Sequence, residues 1–370
     1  GYTFAQTDFD LHGLAGIRLL NASPADAAAV TRQLGPIQAP LTREPDLVIR
    51  FVDRLTTTSR VRTLGLDEAG FTDDAFLVLR SKHKARARVQ IPFEQIGKQC
   101  QIVCESGLPA VPLLIPILNL TVLAKGALPL HASAFTYNGV GALTTGWSKG
   151  GKTETLLAFM AHGASYIGDE WVYLTGDGGQ MYGIPEPIRV WDWHLNYLPE
   201  YRKLVGAGDR ARLGAIRLAQ SLDRALPDRS GLPPVKAVRR VMPLLKRQSF
   251  VDMHPKKLFG PGFGALAGPL HKIFFVVSHE TPDVRVEPMA PDEVARRMVF
   301  SLQHERLDFM AYYYKFRFAF PEAANDFIEQ AEQLQRERLI RVLADKPAYA
   351  VYHPYPVPIQ SLFEAVQPLL

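Results

Sequence analysis

The sequence contains very little cysteine, since Cys100 and Cys104 are the only two in 370 residues. One C-x-x-x-C spacing without further cysteines or a histidine pair supplies neither a disulfide framework nor the four ligands of a structural zinc site. We therefore interpret both residues as small buried hydrophobic side chains. The N-terminal residues lack the basic and apolar segments of a secretory signal, and we expect a reduced, cytoplasmic environment.

Long hydrophobic segments are also missing. The apolar run Val111–Ala124 contains two prolines and an asparagine, and it is shorter than the ~20 residues of a membrane-spanning helix. The sequence shows no low-complexity tract, no strict repeat and no recognisable nucleic-acid-binding motif. We therefore expect neither a membrane nor a nucleic acid as partner. With 47% hydrophobic and 21% charged residues, the composition is that of a folded globular protein.

The chain is long enough for two or three domains. Its first part alternates strand-like and helix-like patterns, and we predict an N-terminal α/β domain of unknown role over residues 1–125. The predicted strands are Leu14–Leu20, Leu47–Val52, Ala75–Leu79 and Ala87–Ile91, and the predicted helices are Ser23–Leu34 and a proline-interrupted Leu108–Lys125.

The next part of the chain has the order strand, glycine loop, helix, strand. The runs His131–Tyr137 and Val140–Thr145 are joined by Asn138-Gly139, a dipeptide typical of tight hairpin turns. The second run leads into the loop Gly146–Thr153, with the sequence GWSKGGKT. A helix over Glu154–His162 and a strand over Ser165–Leu174 are predicted to follow.

The loop fits the pattern G-x-x-x-x-G-K-[ST], which is typical of nucleotide phosphate binding. Glycines let backbone N–H groups converge on a triphosphate, and the following helix adds its dipole. In this pattern Lys152 reaches the β- and γ-phosphates, and the Thr153 hydroxyl holds Mg²⁺. A glycine-rich turn with an accidental Lys-Thr is the alternative. We predict ATP and Mg²⁺ as cofactors and the following nucleotide-binding residues: Gly146, Ser148, Lys149, Gly150, Gly151, Lys152, Thr153 and Glu154.

Two carboxylates, Asp169 and Glu170, interrupt the apolar strand that follows the loop helix. At the carboxyl end of that strand they would face the phosphates, where one can order the metal and the other can accept the proton of an attacking hydroxyl. The predicted metal-binding residues are therefore Thr153, Asp169 and Glu170. A pair of solvent-facing strand charges is the alternative interpretation.

These segments resemble the catalytic domain of HPr kinase/phosphorylase and its relatives, a group structurally similar to phosphoenolpyruvate carboxykinase. The resemblance covers about residues 126–190 and is carried by the following segments: His131-Ala132-Ser133-Ala134, the loop with its continuation Lys152-Thr153-Glu154-Thr155, Gly163, and Ile167-Gly168-Asp169-Glu170. It implies an α/β fold with a P-loop kinase core, which we place over residues 126–290, beside a separate N-terminal domain.

The resemblance also implies residue roles. By position, Asp169 is the catalytic base, Glu170 is its acidic neighbour and a metal ligand, and His131 is an active-site histidine close to the transferred phosphate. Lys152 completes the predicted catalytic set. Without the resemblance, His131 would be interpreted as a half-buried histidine with satisfied hydrogen bonds.

The sequence departs from the pattern of this family at several positions. Lys149 replaces a loop glycine, and Trp147 is bulky. Glu186 and Arg189 stand where a downstream signature is expected, and we interpret them as acceptor or phosphate contacts, with a surface ion pair as the alternative for Arg189. Phosphorylase activity on a carrier protein is therefore not implied. Related proteins include kinases of free serine and of peptide precursors, so the acceptor stays open.

The rest of the chain is less regular. Residues 202–257 contain 14 Lys and Arg against 4 Asp, and this basic stretch could cover a triphosphate, bind an anionic acceptor or form a solvated face. A helical C-terminal region is predicted over residues 291–370. Its predicted helices are Asp292–His304, an aromatic Phe309–Phe320 and Glu322–Leu343, after a buried strand at Lys272–Ser278 and before a proline-rich tail, 347–358, that packs along a surface.

These features predict an ATP- and Mg²⁺-dependent kinase that transfers a phosphoryl group to a hydroxyl of a small molecule or peptide. The alternative is a nucleotide-sensing P-loop module that regulates a partner protein, and a homo-oligomer is compatible with both. A carboxykinase-like lyase would need a transition-metal site with Lys and His ligands, and no such site can be placed in the sequence.

Overall fold

The computed structural model describes residues 6–66, 68–80, 86–226 and 231–370. Within these ranges the chain forms two eight-stranded sheets and one two-stranded sheet, with helices packed around them. The predicted α/β class is confirmed.

The N-terminal strands form the first sheet: β1 (Thr7–Leu11), β2 (Ala15–Leu20), β3 (Leu47–Val52), β4 (Arg62–Leu64), β5 (Ala69–Phe71), β6 (Phe76–Arg80), β7 (Arg86–Gln90) and β8 (Cys100–Glu105). Their spatial order is β1-β2-β3-β8-β7-β6-β5-β4. Side chains of β3 alternate between buried and half-buried, as expected of a strand with one face on the core. Cys100 and Cys104 are buried free thiols, as predicted.

Two helices accompany this sheet, α1 (Pro24–Leu34) and α2 (Leu114–Ala124). Helix α1 begins as predicted, because Ser23 and Asp26 form a reciprocal capping box. Helix α2 begins later than predicted, because the chain before it turns through Leu113, whose φ is 60°. Pro116 lies in its first turn, where a backbone N–H is not needed.

The rest of the chain forms the second sheet and most of the helices. In chain order the elements are β9 (Leu128–Tyr137), β10 (Val140–Gly146), α3 (Lys152–Met160), β11 (Ser165–Leu174), β12 (Gln180–Gly183), β13 (Ile188–Trp191), α4 (Asp192–Tyr197), α5 (Pro199–Arg202), α6 (Ala207–Ala225), α7 (Pro233–Arg247), β14 (Phe250–Met253), α8 (Pro255–Phe259), β15 (Ala267–Pro269), β16 (Lys272–Ser278), β17 (Arg285–Met289), α9 (Pro291–Glu305), α10 (Leu307–Ala319), α11 (Asp326–Leu343), β18 (Ala348–His353) and α12 (Ile359–Val366).

The spatial order of the second sheet is β15-β12-β11-β9-β10-β16-β18-β17, and β13 pairs with β14 in the small sheet. The hairpin between β9 and β10 turns at Asn138 and Gly139, whose φ angles of 52° and 74° match the prediction. Strands β10, β16 and β18 are parallel neighbours, whereas β9 is antiparallel to both β10 and β11. The carboxyl end of β10 is therefore level with the middle of β11, with β9 between the two strands.

The prediction for the proline-rich tail was wrong. Residues 348–353 form β18, which lies inside the second sheet between β16 and β17. Pro347 and Pro354 flank this strand and bound it, so they do not interrupt its hydrogen bonds. The predicted C-terminal helices are otherwise confirmed within a few residues, and α11 begins at Asp326 because the Asn325 side chain caps it.

The second sheet is covered on both faces. One apolar cluster, which extends from Phe9 to Ala348, includes side chains of both large sheets and of α2, α9, α10 and α11. A second cluster joins the opposite face to α3 and α12. The predicted boundary at residue 125 coincides with the change from one sheet to the other, and the division into separate domains stays a prediction. None of the helices in the described ranges combines the length and apolarity that a membrane crossing requires.

Candidate active site

The loop between β10 and α3 has a conformation that requires glycine at two positions. Gly151 has a φ of 115°, and a Cβ atom there would lie 2.2 Å from Nε2 of His353. At Gly146 a Cβ would lie 2.6 Å from the carbonyl oxygen of Val276. Both distances are shorter than any van der Waals contact, so a side chain at either position would displace the loop. The glycines therefore set the path that the loop takes before α3.

Lys152 is enclosed by the loop that precedes it. Its Nζ atom donates hydrogen bonds to the carbonyl oxygens of Trp147, at 2.8 Å, and Gly146, at 3.3 Å. Burial lowers the pKa of this lysine, while the nearby carboxylates of Glu170 and Asp169 oppose the shift. Ser133 on β9 donates to the Lys152 carbonyl at 2.8 Å and fixes the first residue of α3 against the sheet.

His353, at the end of β18, packs against the glycine loop. Its Nε2 lies 2.7 Å from the carbonyl oxygen of Gly150, and its ring fills the space beside Gly151. His353 was not predicted from the sequence, because the prolines around it suggested a surface tail. A histidine that packs under a glycine loop gives no local sequence signal.

The two predicted carboxylates of β11 have different environments. Asp169 is buried, and the Thr153 hydroxyl lies 3.1 and 3.2 Å from its two oxygens. Burial and repulsion by Glu170 raise the pKa of Asp169 to about 8, although Thr153 opposes the shift. Glu170 is 53% exposed. The hydrogen bond from His131 holds the pKa of Glu170 below its usual value.

His131 lies between two carboxylates. Its Nε2 is 3.0 Å from Oε2 of Glu170, and its Nδ1 is 3.7 Å from Oε1 of Glu305. The residue is only 5% exposed, and Nδ1 has no hydrogen-bond partner among the described residues. The ring also contacts Trp171 edge to face, with 5.5 Å between centroids. The alternative interpretation of His131, a histidine with satisfied hydrogen bonds, does not fit these contacts.

A polar cleft of about 470 Å³ brings most of the predicted residues together. Its predicted lining residues are His131, Ser148, Lys149, Gly150, Gly151, Lys152, Thr153, Glu154, Glu170, Glu186 and Arg189. Sequence reasoning missed the others, which are Pro187, Trp191, His194, Asp252, Glu305 and Tyr355. Gly146 and Asp169 do not line the cleft, and Asp169 lies behind Thr153. The alternative of two solvent-facing strand charges therefore fails for Asp169, which is buried.

Two of the predicted site residues, Glu154 and Arg189, already interact with other side chains. The buried Glu154 carboxylate lies 3.1 Å from Nε2 of His194, whose Nδ1 accepts a hydrogen bond from the backbone of Trp191. Burial alone would raise the pKa of Glu154, but the hydrogen bond from His194 lowers it. Arg189 lies 3.4 Å from Asp252, and its guanidinium is 3.9 Å from the ring centroid of Phe250. Arg189 therefore forms the ion pair of the alternative interpretation, and it also lines the cleft, so that its role as a phosphate contact stays a prediction.

The basic stretch 202–257 contributes to the cleft through Asp252 and through none of its described lysines or arginines. Arg202 and Arg217 instead pair with Asp192, at 3.1 and 3.6 Å. Arg212 donates to backbone carbonyl oxygens at 2.5 Å. In this conformation the described part of the stretch includes α6, α7 and β14, and its described lysines and arginines do not cover the loop.

A second cavity, of about 530 Å³, lies on the other side of the same loop. Its walls are more apolar and include Trp147, Phe275, Val276 and Phe300. Trp147 is 52% exposed and stacks on His304 with 4.8 Å between centroids. The loop thus separates a charged cleft from an aromatic one.

The residues at the start of α3 fit Mg²⁺. In the described part of the chain, no group of three or more His, Cys, Asp or Glu side chains is arranged to hold a metal ion. Mg²⁺ commonly takes one or two protein ligands and completes its shell with water and phosphate oxygens. The Thr153 hydroxyl, oriented by Asp169, matches that requirement.

Comparison with known proteins adds no assignment. The chain matches no protein-family model, and no curated protein matches it.

Proposed function

We propose that the protein is an ATP- and Mg²⁺-dependent kinase that transfers a phosphoryl group to a hydroxyl, with an HPr kinase-like P-loop core. One observation carries the proposal: the glycine loop ends in Lys152 and Thr153 at the start of α3, and the acidic pair of β11 lies directly beside them. Phosphoryl transfer depends mostly on positioning and on stabilisation of phosphate charge, and these groups supply both.

Each part of the site has a task in this proposal. The loop amides and the amino end of α3 hold the phosphates. Lys152 exchanges the carbonyl oxygens of Gly146 and Trp147 for phosphate oxygens, which are better partners for an ammonium group. Thr153 holds Mg²⁺, and bound Mg²⁺ neutralises charge on the phosphates.

We assign proton acceptance to Glu170 and not to Asp169, the base that the sequence resemblance implied. A base must reach the attacking hydroxyl and be ionised. Glu170 faces the cleft, and its pKa is lowered by His131. Asp169 is buried behind Thr153 with a pKa of about 8, so its role is to orient the metal-binding threonine. Two carboxylates with opposite pKa shifts commonly divide such tasks.

The aromatic cavity beside the loop suits the nucleobase. A base that stacks on Trp147 and Phe300 would leave the phosphates on the charged side of the loop. Stacking on an aromatic side chain is favourable for any base, so this contact suits nucleotide binding without selecting adenine. This contact would also give a function to Trp147, the bulky loop residue that departs from the family pattern.

The proposal is tested with Lys152→Ala, and with the exposed Lys203→Ala as matched control. We expect Lys152→Ala to reduce turnover of labelled ATP by roughly a hundredfold or more, while circular dichroism and thermal unfolding show an intact fold. Lys203→Ala should behave as the wild type. Unchanged ATP consumption by the Lys152 variant in the presence of an acceptor would contradict the proposal.

A nucleotide-sensing module that regulates a partner is the second candidate. Exposed aromatic side chains favour it, since Tyr314 and Phe318 on α10 are 64% and 72% exposed, whereas Phe309, Tyr313 and Phe316 are buried. Glu170→Gln separates the two functions. The variant should bind nucleotide normally in both cases, and it should lose phosphoryl transfer only if the protein is a kinase.

A further inference from the structure

A cavity of about 890 Å³ lies at the ends of four neighbouring strands of the first sheet. Strands β3 and β8 are parallel, so their carboxyl ends lie at the same end of the sheet. Strand β7 is antiparallel to β8, and β6 is antiparallel to β7, so the start of β7 and the end of β6 lie there as well. The residues that line the cavity come from these four strands and from the loop after β3.

The walls of this cavity are strongly basic. Four arginines line it, one from each of three places along the sheet and a second one from β7. Two of them are exposed and two are half-buried. They are Arg54 after β3, Arg80 at the end of β6, and Arg86 and Arg88 on β7.

Carboxylates do not balance these charges. Glu105, at the end of β8, also lines the cavity, but its two oxygens accept hydrogen bonds from the backbone N–H groups of Leu55 and Arg88, at 2.9 and 2.7 Å. Lys315 and, more weakly, Arg80 lower the pKa of Glu68, so this carboxylate is near the arginines as well. Even with Glu68 included, four positive side chains stand against two negative ones.

The strand pairing brings like charges together. Arg80 and Arg86 are direct partners across the β6–β7 ladder, and Arg86 and Arg88, two positions apart on one strand, lie on the same face of the sheet. Like charges directly opposite each other destabilise a strand pair. In the described part of the chain, Arg54 and Arg86 form no ion pair. An anionic ligand would relieve this repulsion.

The spacing of the arginines indicates the form of the anion. From β3 to β6 there are three gaps between neighbouring strands, which at ~4.8 Å each span roughly 14 Å. A compact anion such as phosphate would contact only part of this row. An extended polypeptide advances ~3.3 Å per residue, so about four residues would follow it.

The lining also favours a peptide over a nucleic acid. Proteins that bind single-stranded nucleic acids commonly supply aromatic side chains on which the bases stack. None of the described residues that line this cavity is aromatic. Guanidinium groups pair with carboxylates through two parallel hydrogen bonds, so acidic side chains suit the row of arginines.

We propose that this cavity binds an extended acidic segment of a partner polypeptide, with its glutamate or aspartate side chains paired to the arginines. The inference goes beyond the proposed function, because it gives the first sheet a binding role that involves neither the nucleotide nor its phosphates.

The test measures peptide binding to the full chain without nucleotide. The probe is a fluorescein-labelled peptide with four consecutive glutamates, and its glutamine counterpart is the reference. Fluorescence anisotropy should show at least roughly tenfold tighter binding of the glutamate peptide, and salt should weaken it. The double variant Arg54→Gln/Arg86→Gln should weaken binding roughly tenfold.

Two controls locate the effect. Arg240→Gln/Arg247→Gln removes the same charge from exposed positions of α7, in the other basic part of the chain, and should bind as the wild type. Arg54→Gln alone, outside the strands, should lose part of the affinity, which covers the case in which the double variant does not fold.

Three results would overturn the inference: equal affinity for the two peptides, a loss of binding in the α7 variant but not in the Arg54 variants, or stronger displacement of the probe by tripolyphosphate or oligothymidylate than by unlabelled peptide. Because no nucleotide is present, the outcome is independent of the Lys152→Ala test of kinase activity.

Discussion

Asp169→Asn should have opposite effects on stability and on nucleotide binding. Burial and Glu170 raise the pKa of Asp169 to about 8 in the folded protein, whereas the pKa of an aspartate in an unfolded chain is ~3.9. Between these values the folded protein holds a proton that the unfolded chain has released. The free energy of unfolding therefore falls as the pH rises through this window. Asparagine carries no such proton, and its Oδ1 can still accept from Thr153.

The expected gain in stability is measurable. A pKa raised by only one unit in the folded protein would already make the variant more stable than the wild type by ~1 kcal/mol at pH 9, which is ~2 °C in Tm. The assay is thermal unfolding at pH 5, 7 and 9 without nucleotide, with the exposed Asp308→Asn as control. Parallel pH curves for wild type and Asp169→Asn would refute the reasoning.

The same substitution should weaken Mg²⁺-dependent nucleotide binding. With a pKa of about 8, roughly a tenth of the free protein carries the Asp169 carboxylate at pH 7. If the ionised form orients Thr153 toward the metal, the affinity for Mg²⁺-nucleotide should rise about tenfold per pH unit below 8 and level off above it. In Asp169→Asn the affinity should be ~10–100-fold lower and independent of pH. A wild-type pH dependence in the variant, measured by calorimetric titration, would exclude this role.

Two further substitutions test the loop itself. Gly151→Ala should lower the free energy of unfolding by ~2 kcal/mol or more and abolish binding of a fluorescent ATP analogue, because its Cβ would meet His353 at 2.2 Å. Gly163→Ala is the control, because Gly163 has a φ of 88° but open space around it. This variant should lose stability only through its backbone conformation, and it should bind the analogue normally. Trp147→Ala should weaken ATP about tenfold through lost base stacking but leave the affinity for tripolyphosphate unchanged, and an equal loss for both ligands would argue against a base beside Trp147.

Local patterns predicted the secondary structure around the candidate site correctly. The hairpin at Asn138 and Gly139, the glycine loop and the strand β11 are adjacent in sequence, and each is fixed by residues within a few positions. A tight turn needs positive φ, and a close approach of the backbone needs glycine, so both features are visible in the sequence. The two-residue difference at the start of α3 arises because its first turn, Lys152 and Thr153, belongs to the loop motif.

Contacts between segments that are distant in the chain could not be predicted from the sequence. His353 reaches Gly150 across 203 positions of the chain, and Glu305 reaches the cleft from the end of α9. The prolines on both sides of β18 suggested a surface segment. Nor could the sequence distinguish Asp169 from Glu170, because that difference depends on which carboxylate Thr153 and His131 contact.

Several energetically unfavourable features occur together in the glycine loop, at the start of α3 and in β11. Their clustering supports a functional site without reference to the G-x-x-x-x-G-K-[ST] motif. Glu170 and Lys149 have positive φ angles of 97° and 61°, and non-glycine residues in such conformations cost ~1–3 kcal/mol each. Lys152 and Asp169 are buried, and burial shifts the pKa of each toward its neutral form. A chain selected for stability alone would replace these residues, whereas a polyphosphate with its metal would compensate the buried lysine and the carboxylates together. The local instability of the free loop is thus the property that a phosphate ligand would relieve.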